Sequence, residues 1–367
     1  MGEGLFDRRR LRFRPLRERR SKVFIERDHV PPGSPPRPAD ACAGVAATAA
    51  AVRAARTANH PVIMAFGAHT IKNGLAPVLI RLCEDGWVTH LATNGAGVIH
   101  DWEFAFQGSS SEDVRENLAR GEFGAWEETG RYLNLALAVG AYAGQGYGEA
   151  VGALIEHDGL TIPAAEELES EIRSVAGENL HRAAAAADLL AVVRRLQLPA
   201  GLLPVAHPWK RFSLQAAAYR LGVGFTAHPM FGHDIIYEHP AACGGALGRT
   251  AERDFLSFVT AVSGLEGGVY LSIGSAVMSP MIFEKALSMA RNVERQRGRT
   301  IERFELCVVD LAPLSWDWQR DGEPPADHPA YYLRYLKTFS RAGGTLRYVQ
   351  ADNRDFLCGL WNELNRG

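Results

Sequence analysis

Apolar residues in this chain follow two rhythms. Short unbroken apolar runs alternate with longer stretches in which apolar positions recur every three or four residues. The run at 62–66, VIMAF, is the pattern of a strand buried on both faces. Gly67 breaks it. Residues 75–82 then carry helical spacing, and Gly86 closes that helix. A second run at 88–92 ends in Thr93, Asn94, Gly95, Ala96 and Gly97, and the chain continues into a segment holding His100, Asp101 and Glu103. Further strands are expected at 203–206, 223–226, 268–273, 304–309 and 346–349. Helices are expected at 39–57, 211–221, 251–264, 279–296, 328–341 and 353–364. Another should start near 112, capped by Ser110 or Ser111. Residues 124–197 read as mostly helical, a covering layer or insertion. Alternating elements imply an α/β fold: a doubly wound, mainly parallel sheet with helices on both faces and an extra helical layer.

Composition narrows the function classes. At 367 residues the chain is one large domain or two, and residues 39–367 show no internal boundary or repeat. A formal charge of −2 gives no strong field for nucleic acid or lipid. No apolar run reaches the roughly 18–20 residues of a membrane span, and the N-terminal charges precede no apolar core, so neither a membrane anchor nor a signal peptide is expected. The five cysteines form no C-x-x-C pair and read as buried small hydrophobes in a reducing compartment, the cytoplasm. Residues 1–38 differ in kind. RRRLRFRPLRERRSK at 8–22 holds eight arginines and one lysine, and PPGSPPRP at 31–38 is a stiff linker. The arm reads as a solvated segment, a cover over an acidic surface of its own oligomer, or a nucleic-acid tail.

Loops at the expected strand ends hold the chemistry. They are 67–73 with His69 and Lys72, 93–103, 227–239 with His228, His233, Asp234 and His239, and 273–280. Ligands of open α/β sheets sit at the carboxyl ends of the strands. None of these loops is the G-x-G-x-x-G fingerprint or a Walker loop. No histidine pair has metal-ligand spacing, so no metal site is expected. His100 and His233 are candidates for general acid–base work, and Asp101, Glu103 and Asp234 for binding a cationic amine. Trp102, beside the acids, is a core residue or the wall of an amine site.

The order and spacing of these loops resemble deoxyhypusine synthase. TNGAGVIHD at 93–101 resembles that family's Thr-Thr-Ala-Gly-Gly loop with acidic residues after it. FTAHPMFGHDIIYEH at 225–239 resembles its Gly-Asp segment with a following His, matching Asp234 and His239. YLSIGSA at 270–276 resembles its apolar strand with a Gly-rich turn, and YVQAD at 348–352 its closing strand end. Residues 97–103 also resemble a stretch of archaeal-type ornithine cyclodeaminases. The resemblance spans about residues 60–355. It implies NAD as cofactor, contacted by Gly67, Thr93, Asn94, Gly95, Ala96, Gly97, Gly274, Ser275 and Asp352, with Asp352 near the adenine half. It also implies a homo-oligomer, most simply a tetramer. The N-terminal arm would then dock on a neighbouring subunit, because it is too basic for its own core.

One departure matters. The family's nucleophilic lysine should follow the Gly-rich turn, but residues 274–280 contain none, and the next lysine is Lys285. A methionine forms no imine. The expectation is therefore an NAD-dependent enzyme acting on a small amine or amino acid through an imine, which does not make deoxyhypusine. The alternatives are a non-redox NAD- or nucleotide-binding sensor or assembly protein, a sugar or acyl transferase borrowing the fold, or a deoxyhypusine synthase using another lysine such as Lys72.

Overall fold

The computed structural model describes residues 4, 6–37, 42–318 and 320–366. Six strands form one parallel sheet: β1 (Val62–Phe66), β2 (His90–Thr93), β3 (Gly224–Ala227), β4 (Val269–Ile273), β5 (Glu305–Asp310) and β6 (Thr345–Gln350). Their spatial order is 3-2-1-4-5-6, the doubly wound order in which the winding reverses between β1 and β4. Residue Phe66 stands opposite Thr93 on one side and Ile273 on the other, and Thr93 opposite Ala227. The carboxyl ends of four strands are thus flush, and their loops emerge along one line.

Alternation along β1 builds two cores. Val62, Met64 and Phe66 face one side with Leu91, Leu271 and Val309. Ile63 and Ala65 face the other with Tyr270, Phe258, Phe283 and Phe339. Each large side chain buried this way contributes roughly 2 kcal/mol. The second side is covered by helices Gly244–Ser263, Met278–Gln296 and Arg334–Ala342. Helices Ala76–Glu84, Gly95–Gln107 and Asn353–Leu364 lie on the first.

Two expectations change. The strand expected at 203–206 lies outside the sheet. It is Gly201–Pro204, and it pairs antiparallel with Gly159–Ile162 inside the region read as mostly helical. A short apolar run carries no sign of which partner it will find. Helices Glu127–Ala143, Tyr147–Glu156, Ala165–Val175 and Leu180–Leu196 make up the rest of that covering layer. The helix expected near 112 is Val114–Arg120, capped by Asp113 rather than a serine. Ser110 lies in the two-residue strand Ser109–Ser110.

The N-terminal segment belongs to its own chain's core, contrary to the reading from its charge. Leu16 and Ile25 are fully buried. Val23–Phe24 pairs antiparallel with Ser109–Ser110. Neutralisation is what allows this: Arg19 pairs with Glu103 inside the protein, while Arg14 bridges Glu18 and Glu122 near the surface. The Pro-rich stretch lies along Asn353–Leu364, with Asn362 donating to the Ser34 carbonyl. Its end and the expected boundary at 38/39 fall outside the described residues. Cys83, Cys243, Cys307 and Cys358 are free thiols. Among the described residues no helix is long and apolar enough to cross a membrane.

Candidate active site at the strand ends

The helix after β2, Gly95–Gln107, organises the site. Asn94 caps it, its Oδ1 accepting from the Gly97 N–H at 2.9 Å. Two glycines let it start where it does. A Cβ at Gly97 would lie 2.3 Å from Thr93 Oγ1, and one at Gly95 would lie 2.2 Å from Asp234 Oδ2. Thr93 in turn donates to the Phe66 carbonyl, so its hydroxyl is committed to the sheet.

One face of this helix, Ala96, Ile99, His100 and Glu103, lines a cavity of about 220 Å³. Glu112, Lys72 from the short helix Ala68–Lys72 after β1, His233 and Asp234 from the β3 loop and Arg19 from the N-terminal segment also line it. The structure thus gathers His100, Glu103, His233 and Asp234 as the sequence suggested. His69 stays exposed beside them.

Glu103 is held by protein donors. Its carboxylate accepts from Arg19 Nη1 and Nη2, both at 2.7 Å, from Thr129 Oγ1 at 2.9 Å and from Ser110 Oγ at 2.5 Å. Burial pushes its pKa up, but the Arg19 guanidinium outweighs this and holds it below the usual carboxylate range. Ser110 Oγ also lies 2.7 Å from His100 Nδ1. Burial brings His100 down to about 4, so its ring is neutral at neutral pH.

Asp234 is buried and accepts from Tyr237 Oη at 3.2 Å. With no ion-pair partner for it among the described residues, burial raises it to about 6. Burial and the neighbouring Glu112 raise Glu238 to about 7. Lys72 is half-buried, with no hydrogen-bond or ion-pair partner among the described residues. The cavity therefore presents a neutral imidazole, a poorly solvated carboxyl and a free ammonium within one small volume. That set can hold a zwitterion and accept a proton from it.

Asp101 is a correction. It sits on the opposite face of the helix and accepts from Ser213 Oγ, the Leu214 and Gln215 N–H groups and Gln215 Nε2. These bonds exhaust its acceptors and cap the helix Leu214–Leu221. Trp102 is also behind the site, fully buried and stacked on Phe106 at 4.8 Å. His228 is a core residue bonded to Thr226. His239 accepts from the Ala241 N–H through Nδ1 and contacts Glu127 through Nε2. Among the described residues no group of His, Cys, Asp and Glu is arranged to hold a metal ion.

The residues assigned to a cofactor split between two places. Thr93, Asn94, Gly95, Ala96 and Gly97 lie at the end of β2 and the start of its helix, where Ala96 lines the cavity and Gly95 packs against Asp234. Gly67 and Gly274 meet at the β1/β4 crossover, where a Cβ at Gly67 would stand 2.2 Å from the Gly274 carbonyl oxygen. Gly274 has φ +53 and packs under Asn353, whose Nδ2 donates to Thr70 Oγ1. Ser275 Oγ accepts from the Ser279 N–H. Asp352 caps Asn353–Leu364 and lies 3.4 Å from Arg37. Here Gly67 serves the approach of backbone to backbone, and Gly274 the approach of the Asn353 side chain.

Arg19 and Ser110 escaped the sequence reading. An arginine within a run of arginines looks solvated, and the one signal against that was Leu16 and Ile25 at its flanks.

No family model and no curated protein matches the chain. Solved structures similar to it include the apo form of ArgZ, an arginine dihydrolase from the ornithine–ammonia cycle in cyanobacteria, at 13% identity and TM-score 0.43, over 88% of this chain and 32% of that one. The ternary complex of AgrE with ornithine and NAD+ is 14% identical at TM-score 0.43, over 89% and 33%. A conserved putative LOR/SDH protein from Methanococcus maripaludis S2 is 12% identical at TM-score 0.42, over 91% and 70%. The chain spans about a third of the length of the first two. Its own strand order, 3-2-1-4-5-6, is what establishes the doubly wound α/β fold.

Proposed function

We propose that this chain is an NAD-dependent enzyme that oxidises a small amine or amino acid at the carbon bearing nitrogen. The observation that carries this is the meeting of neutral His100, uncompensated Asp234 and free Lys72 around one cavity at the carboxyl ends of parallel strands. The doubly wound order and the resemblance of residues 93–101 and 348–352 to deoxyhypusine synthase support NAD as the cofactor. The same resemblance supports a homo-oligomer.

A dinucleotide would lie along the crest rather than inside the cavity, which at about 220 Å³ is smaller than the roughly 300–1,000 Å³ of most ligand sites. The backbone at Asn94, Gly95, Ala96 and Gly97, the turn at Gly274 and Ser275, and the Asp352 carboxylate would hold it. When bound, NAD supplies a hydride acceptor. The chain's own residues do the rest. Asp234 holds the substrate ammonium. Lys72 holds a carboxylate where the substrate has one. His100 Nε2 takes a proton from the nitrogen, freeing the lone pair that makes the neighbouring C–H hydridic. The missing lysine at 274–280 leaves no attachment point for group transfer, and Lys285 is an exposed residue paired with Glu284.

Calorimetry with NAD, followed by nicotinamide absorbance during a screen of amines and amino acids, tests this reading. NAD binding together with a substrate-dependent absorbance rise is expected. His100→Gln should lower turnover about 10²–10⁴-fold while leaving NAD affinity unchanged. Failure to bind NAD overturns the proposal. Binding without any absorbance change across the screen replaces it with a sensor. Incubation with spermidine, NAD and the acceptor protein should leave no butylamine-modified lysine.

A further inference from the structure

The N-terminal segment reaches the candidate site at an atom that matters for its chemistry. Ser110 Oγ lies within hydrogen-bond distance of two groups at once, Glu103 Oε2 at 2.5 Å and His100 Nδ1 at 2.7 Å. A hydroxyl has a single proton to give. Glu103 is clamped by both Arg19 nitrogens at 2.7 Å and is an ionised acceptor, so the Ser110 proton goes to it. Ser110 Oγ is then an acceptor toward His100, and the proton of the neutral ring must sit on Nδ1. That leaves Nε2, which has no hydrogen-bond partner among the described residues, as the lone-pair nitrogen of a ring that lines the cavity. Arg19 therefore sets the tautomer of His100 through two intermediaries. The segment that carries Arg19 also pairs with the strand that carries Ser110: Val23 and Phe24 stand opposite Ser110 and Ser109, and the Lys22 N–H bonds the Ser111 carbonyl at 2.8 Å.

We propose that Arg19 and Ser110 are positioning residues that hold His100 as the Nδ1-protonated tautomer, and that the N-terminal segment is part of the active site rather than a tail. The tautomer itself is independent of the functional reading above; only its use as a base rests on that reading.

The test is nitrogen NMR on the full chain with ¹⁵N-labelled histidine, the His100 signals being identified by their loss in His100→Gln. Near neutral pH, without ligand, His100 should show a protonated Nδ1 and an unprotonated Nε2. Arg19→Met should reverse the relay. Glu103, left without its cation in a buried site, takes up a proton and donates to Ser110. Ser110 then donates to Nδ1, and the ring proton moves to Nε2. Ser110→Ala should leave both tautomers populated, and Ser110→Thr should restore the native one. If Arg19→Met does not fold, the serine pair decides alone. A Nε2-protonated ring in the native chain, or a tautomer unchanged in Ser110→Ala, overturns the proposal. Because no ligand enters these measurements, failed NAD binding would overturn the functional reading and leave this one standing.

Discussion

The ends of β1 and β4 and the ends of β2 and β3 lie side by side in one sheet, yet they are built on different principles. At β1/β4 the contact is backbone on backbone: Gly67 rests against the Gly274 carbonyl, and the Asn353 side chain crosses to Thr70. At β2/β3 a glycine also permits close approach, but what approaches Gly95 is the carboxyl end of Asp234. Beside it, charged side chains line a cavity, with Arg19 and Glu103 as the buried anchor. The first arrangement fixes two strand ends against each other through neutral contacts. The second keeps polar groups in poor solvent, which costs stability and tunes pKa values.

Breaking the anchor should have the largest effect. Arg19→Met leaves the Glu103 carboxylate buried and unpaired, and about 3–5 kcal/mol of stability should be lost in denaturant unfolding. Arg14→Met, on the same segment but at the surface, should cost no more than about 1 kcal/mol. Equal losses would show that the segment acts through surface charge alone.

Asp234 should show the opposite sign. Its folded pKa of about 6 lies above the ordinary 3.8, so the folded state binds the proton more tightly than the unfolded one. Stability then falls as pH rises between roughly 4 and 6, and the cost at neutral pH approaches about 3 kcal/mol. Asp234→Asn should recover much of that near pH 7, recover nothing below about pH 4, and abolish binding of cationic substrates. A stability difference that does not vary with pH would mean Asp234 carries no penalty.

The two glycines sharpen the comparison directly. Gly67→Ala forces a methyl against a carbonyl oxygen that cannot move aside, and about 1–3 kcal/mol should be lost. Gly95→Ala meets the movable end of a side chain. It should cost under about 1 kcal/mol of stability but displace Asp234 and weaken ligand binding, read by thermal melting and calorimetry together. The smallest expected effect on stability is that of Lys72→Met, within about 0.5 kcal/mol. Its consequence should be confined to affinity for substrates bearing a carboxylate.

Hydrophobic rhythm determined a good deal of this molecule by itself. Strand runs such as 62–66 are apolar without interruption because both faces of a parallel strand are covered, and helices such as Asn353–Leu364 carry their spacing and cap locally. Gly95 and Gly97 read in the sequence as contacts of a cofactor; that Asp234 and Thr93 approach them is set by the fold. What the sequence leaves open is direction and partner. Asp101 and Glu103 are two residues apart with the same chemistry, yet helical geometry turns one toward a helix terminus and the other toward Arg19. Arg19 lies 84 positions from Glu103, so no local pattern announces their contact. Gly201–Pro204 finds Gly159–Ile162 instead of the main sheet because its partner is set by the packing of the helices between them. Local propensity acts over a few residues. The balance of charge burial that turns an arginine-rich arm into part of a core, and fixes a histidine at the site, exists only once the chain has folded.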